Sequence, residues 1–180
     1  VNRNYIGRRI KRHGAEYIIK HDNQLQPFYG YLKGSILMVA AIALLPGQLI
    51  APLGRPDREF IVGAATDKIL YEEYTLLKVN CRGTLTRFDN DGIKDTFGRP
   101  TSNSPATIYS VMPLHLHTQD SIKETTTPDR SAAQSTYKFA APTGFTVRQN
   151  DRLQIGGTLL NVTTITLAPD GLTSFTTMAT

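Results

Sequence analysis

The histidines His115 and His117 stand one residue apart in Leu-His-Leu-His, so on a strand both imidazoles lie on one face. Two imidazoles on one face begin a metal site, but a competent site needs a third and usually a fourth ligand. His13 and His21 lie far away in the sequence, and nothing links them to the pair. The expectation is therefore no metal, with the histidines on the wetter face of a strand and Leu114 and Leu116 turned to the core. Asp89, Asp91 and Asp95 around Gly92 have part of the spacing of a calcium loop. With Gly92 at the sixth position, however, the first falls on Arg87 and the twelfth on Gly98, where carboxylates are required. A tight turn at Phe88–Gly92 fits better, since Asp-Gly supplies the positive φ such turns need.

Nucleophilic and phosphate chemistry find no better footing. Gly63-Ala-Ala-Thr-Asp-Lys lacks the second glycine of a phosphate-cradling loop. Glu72 and Glu73 are adjacent, so on a strand they face opposite sides and make a poor catalytic carboxylate pair. There is no Gly-x-Ser-x-Gly elbow, and Cys81 has no evident histidine partner. As the sole cysteine it forms no intramolecular disulfide, and between strand-like residues it reads as a small buried hydrophobe. Asn161-Val162-Thr163 matches a glycosylation sequon, with nothing else pointing to secretion. The chain is expected to be no enzyme, with catalytic residues none, cofactors none and metal none.

Charge is what the sequence does concentrate. Residues 1–21 hold Arg3, Arg8, Arg9, Lys11, Arg12 and Lys20 against Glu16 alone, which accounts for the whole net charge of +5. Residues 22–100 carry nine basic and nine acidic groups, and residues 101–180 carry five of each. The body is neutral and bears a basic N-terminal arm. Such an arm docks an acidic protein surface, stays solvated, or contacts phosphates, with Tyr5 and Tyr17 able to stack on bases.

The elements that would carry these groups are mostly strands. Tyr5, Ile6, Ile10 and the stem of Arg9 are spaced for one face of a short N-terminal helix, with cations in its last turn and Gly14 as its stop. Strands are expected at AEYIIKHD, ending in a turn at Asp22-Asn23, at REFIVGA (58–64), and as one or two long strands around Gly83 in 69–88, while PFYGYLKG (27–34) reads as a strand or an extended arm. Beyond 98–106, a loop of Gly, Pro, Ser and Asn, the texture changes, and seventeen threonines fall in 101–180. Threonine fits pleated sheets better than helices. A strand at 106–118 interrupted or edged by Pro113 is expected, then a long loop over 119–135. Short strands follow at STYKFAAP, TGFTVRQ, DRLQIGGTLLNVTTITLA and LTSFTTMA, punctuated by Asn150-Asp151, Gly156-Gly157 and Pro169-Asp170-Gly171. No repeat of 20–50 residues marks a solenoid.

The fold class expected is mainly β: a small β-barrel or sandwich with a short N-terminal helix and long loops. One β-rich domain over 1–180 with extended insertions is expected, the alternative being a subdivision into 1–98 and 106–180. The longest apolar run, ILMVAAIALL (36–45), is half the length a membrane helix needs, so no membrane span is expected. It reads as a buried helix or strand pair, or as a surface covered on assembly.

Two stretches carry a family resemblance. IGRRIKRHGAEYIIK (6–20) is a short basic helix, His-Gly and a strand. STYKFAAPTGFTVRQNDRLQIGGTLLNVTTITLAPDGL (135–172) is a strand, a turn, Asp-Arg, an apolar strand ending in Gly-Gly, a second apolar strand and Pro-Asp-Gly. This order resembles the head-completion or stopper proteins of tailed bacteriophages, and other small neck proteins share the texture. The two stretches span under a third of the chain. The apolar segment 35–53 is not part of the family pattern, and the chain is longer than a minimal stopper, which leaves an adaptor, neck or tail-terminator protein as alternatives.

The resemblance implies a virion structural protein of the head–tail connector, made in the host cytoplasm. It implies a homo-oligomeric ring that joins head to tail, contacts portal or adaptor and tail or neck proteins, and lines or closes the DNA channel with non-specific contact to packaged DNA. It also implies that segment 6–14 is the helix and that Asp151–Gly157 begins a barrel hairpin. Arg8, Arg9, Lys11 and Arg12, with the aromatic strip Phe28, Tyr29 and Tyr31, are the candidate partner-docking residues. Loops 89–98 and 119–135 are candidates for lumen or partner contacts. Free strand edges and the apolar run would supply self-association. The alternative function is a nucleic-acid-binding β-barrel that uses the basic helix.

Overall fold

A computed structural model describes residues 3–20, 27–40, 42–88, 105–123, 133–167 and 172–179. The helix α1 (Arg3–His13) precedes two closed six-stranded antiparallel barrels. The first holds β1 (Ala15–Lys20), β2 (Phe28–Lys33), β3 (Ile36–Val39), β4 (Leu49–Pro52), β5 (Phe60–Lys68) and β6 (Tyr71–Lys78). The second holds β7 (Cys81–Arg87), β8 (Ala106–Lys123), β9 (Ala133–Ala141), β10 (Arg152–Ile155), β11 (Thr158–Leu167) and β12 (Thr173–Ala179). Around the first barrel the order is β1-β2-β3-β6-β5-β4, and around the second it is β7-β8-β9-β12-β11-β10. The two circuits are the same: the first three strands in order, then the last three in reverse. The chain folds one topology twice. The mainly β class with a short N-terminal helix is what the strand texture indicates.

Each barrel has its own core, built by period-2 alternation. Tyr17, Ile19, Phe28, Leu37, Val39, Ile50, Phe60, Val62, Tyr74 and Leu76 point into the first. Leu85, Met112, Leu114, Phe139, Ala141, Leu153, Leu160, Val162 and Phe175 fill the second. A third cluster joins them, with Leu49 and Ile61 from the outside of the first barrel meeting Ala140 and Leu172 of the second. This explains why β4 and the start of β5 read as unbroken apolar runs. Their inner residues fill a core and their outer residues are covered by the other barrel.

The passage between barrels is made at Val79-Asn80. The two strands expected within 69–88 break there, and Gly83 lies inside β7, where a side chain would collide with Leu153. The composition change near 98–106 therefore falls within the second barrel's sequence, between β7 and β8. Residues 89–104 lie outside the described residues, as do Asp22-Asn23, the expected tight turn beyond Phe88 and Pro169-Asp170-Gly171.

Several sequence-based boundaries are corrected. Pro113 does not interrupt β8: it is buried, opposite Arg82, beside two register shifts that already disturb the ladder. The loop expected over 119–135 is strand at both of its ends, since β8 runs to Lys123 and β9 begins at Ala133, with 124–132 outside the described residues. Polar residues exposed along this hairpin carry no apolar alternation, which hid the strand. TGFTVRQ forms no strand. Its amides bond elsewhere: Thr143 N–H to Gly47 O at 2.8 Å, Thr146 N–H to Tyr109 Oη at 3.0 Å, and Arg148 N–H to Asp151 Oδ2 at 2.7 Å. The run 36–45 is neither helix nor strand pair. It is β3 followed by an irregular stretch, where Leu44 N–H donates to Tyr74 Oη at 2.8 Å. The hairpin expected after Asp151 is present as β10–β11, with Gly156 and Gly157 both at positive φ.

Candidate interaction site

α1 ends as its sequence indicates. Gly14 N–H donates to Ile10 O at 2.7 Å, and a side chain at Gly14 would strike the main-chain oxygens of Ile10 and Gly30. That close approach seats the helix on β2. Ile10 is buried beneath it, while Arg8, Arg9, Lys11 and Arg12 are exposed. Among the described residues none of these four cations is within ion-pair distance of a carboxylate. Lys11 Nζ lies 5.2 Å from the ring centre of Tyr29. The Tyr29 hydroxyl is hydrogen-bonded to Glu16, whose carboxylate raises the phenol pKa. Tyr31 lies further along the same outer face of β2, partly exposed. Phe28 is a correction: it points inward and stacks on Tyr17 at 5.7 Å, so it is core and unavailable to a partner. The alternation of β2 requires this once Tyr29 and Tyr31 face outward.

The second barrel offers strand edges. Closure removes edges from most of both sheets, contrary to the uncovered borders expected from the sequence. What remains lies where strands outrun their neighbours. The β7–β8 ladder ends at Cys81 opposite Leu114. Asn80 then extends it by a side chain, its Oδ1 accepting Leu116 N–H at 2.8 Å and its Nδ2 donating to Leu116 O at 3.2 Å. Beyond, residues 117–123 of β8 have β9 alone alongside among the described residues. On the opposite margin the β10–β11 ladder ends at Asn161, and Asn150 and Asp151 bond Val162 through the main chain. Residues 163–167 of β11 then have β12 alone among the described residues. The exposed apolar side chains Ile165 and Leu167 sit on this margin.

No protein-family model, curated protein or solved structure matches this chain.

The residues weighed for chemistry are placed apart. His115 and His117 meet edge-to-face at 4.7 Å, and His115 Nδ1 bonds Lys78 O at 2.7 Å across the barrel seam. Leu114 is fully buried, and Leu116 packs on the same core. Burial lowers the His117 pKa, with His115 and Lys138 adding to the effect. Among the described residues no three ligating side chains gather. Cys81 is half-buried and its thiol pKa is raised by burial, the opposite of an activated nucleophile.

Sequence reading missed two carboxylates. Glu59, buried, receives Lys20 and Arg82, each at 2.5 Å. Asp151, also buried, accepts Arg87 Nε at 2.8 Å and Nη2 at 2.9 Å. Nothing local marks either residue, because their partners come from other strands. No helix among the described residues is long and apolar enough to cross a membrane.

Proposed function

We propose that this chain is a structural subunit of a tailed-phage head–tail connector that assembles head to tail into a ring, packs against neck, portal or tail proteins, and performs no reaction. The observation that carries the reading is the pair of open margins on one sheet. In the order β8-β9-β12-β11 every neighbour is antiparallel, so β8 and β11 also run in opposite directions. The open margin of β8 in one copy thus meets that of β11 in the next as an antiparallel pair, continuing the pattern within the sheet. Contacts between two different surfaces generate rings when the rotation closes. Ile165 and Leu167 beside the β11 margin would lose water on such pairing, at roughly 25 cal/mol per Å² of apolar surface. The outward cations of α1 supply a separate docking face for an acidic neighbour, and the virion neck is the setting that the two resembling stretches suggest.

The test is a disulfide trap. In a Cys81→Ala background, Thr118→Cys and Thr164→Cys in one chain should yield a ladder of linked oligomers on oxidation with neck partners present. Either cysteine alone should give none. Native mass measurement of the unmodified protein with those partners should show a ring. Monomers throughout, with and without partners, would sink the proposal. Charge reversal at Arg8, Arg9 and Arg12 should abolish joining of heads to tails while leaving the fold intact.

A further inference from the structure

The outer face of the first barrel carries a groove that shares Arg9 and Tyr31 with the docking face of the connector reading. It lies between α1 and the β2-β3-β6 sheet and has a volume of about 670 Å³, within the range that receives a small ligand. Arg9 and His13 line it from the helix, Tyr31 and Lys33 from β2, and Tyr71 from β6, with Met38 at its floor. Among the described residues no carboxylate lines it. Glu73 of β6 lies beside it on this face, opposite Met38 in register and held by Lys68 at 3.7 Å and by the Tyr71 hydroxyl at 3.3 Å. The charge excess of the whole chain resides in residues 1–21, and of those cations α1 brings Arg9 to this wall.

We propose that this groove binds single-stranded nucleic acid, with Arg9 and Lys33 on phosphates and Tyr31 and Tyr71 stacking on bases. Cations in a groove without carboxylates select an anionic ligand. The tyrosines then choose among anions. Aromatic side chains beside a cationic track are the arrangement that holds unpaired bases, whose π faces are free. A duplex hides those faces and would engage the cations alone. An acidic peptide would leave the rings without a flat partner.

The experiment is fluorescence anisotropy with a labelled sixteen-nucleotide thymidine oligomer. The unmodified chain should bind, and affinity should fall steeply with salt. Arg9→Glu with Lys33→Glu should abolish binding, whereas Arg55→Glu with Arg58→Glu, outside the groove, should change it little. Tyr31→Ala and Tyr71→Ala should each weaken binding about ten-fold at an unaltered salt slope. Photo-cross-linking of the unmodified protein needs no variant, and its adducts should map to Tyr31 or Tyr71. Equal binding of a duplex of the same length together with indifference to the tyrosine changes would overturn the proposal. So would equal competition by poly-glutamate, cross-links confined elsewhere, or no binding at low salt.

Discussion

Arg82, near the start of the second barrel, donates through Nη2 to the carboxylate of Glu59 in the first at 2.5 Å. The other Glu59 oxygen takes Lys20 at 2.5 Å. Glu59 is almost wholly buried while its cations keep partial contact with water. Arg82 and Glu59 form a joint between the barrels beside the shared apolar cluster of Leu49, Ile61, Ala140 and Leu172.

A double-mutant cycle on this joint should show coupling. Glu59→Ala is expected to cost about 1–2 kcal/mol, since the cations it releases can be solvated. Arg82→Ala should cost less in that background than in the parent, with a coupling of about 1 kcal/mol. Denaturant midpoints for the four proteins measure it. Strict additivity would show that Glu59 does not link the barrels.

Asp151 presents the more severe case. Both partners are enclosed, with Arg87 13% exposed and Asp151 1%. Asp151→Ala removes the carboxylate that faces the enclosed Arg87 guanidinium and should destabilise the second barrel by about 3–5 kcal/mol. Hydrogen exchange should show the loss first in the main-chain bonds of Asn150 and Asp151 with Val162. An unchanged urea midpoint would contradict this.

Tyr74→Phe removes both hydrogen bonds of one buried phenol. It removes the acceptor of Leu44 N–H and the donor to Glu72, so a loss of about 1–3 kcal/mol is expected. Burial, followed by the Glu72 hydrogen bond, pushes the Tyr74 pKa up to about 12. The fold therefore favours the neutral phenol. Its contribution is present below pH 10 and is lost as pH rises from the unfolded value of 10.0 towards 12. Ultraviolet titration should show a late-ionising tyrosine that Tyr74→Phe lacks.

His117 should give an acid-side dependence. Burial, the neighbouring His115 and Lys138 lower its folded pKa below 6.5. The unfolded chain thus takes up the proton first. Stability holds above pH 6.5 and declines as pH falls from there towards the folded value. Melting temperatures between pH 5 and 8 should slope less in His117→Gln than in the parent.

The parts of this protein that its sequence determined are those governed by near neighbours. Gly14 ends α1, Gly156-Gly157 turns the β10–β11 hairpin, threonine and branched residues make strands, and the cations sit on the helix, because backbone sterics and short-range periodicity act within a few residues. Closure into two barrels of one topology was decided only by the tertiary structure. So were the outward burial of Leu49 and Ile61, the inward turn of Phe28, and the carboxylate pairs. Glu59 finds Lys20 across 39 residues and Arg82 across 23, and Asp151 finds Arg87 across 64. A charge has no local signature of such a partner, since its burial becomes favourable only once the chain has brought the other charge beside it.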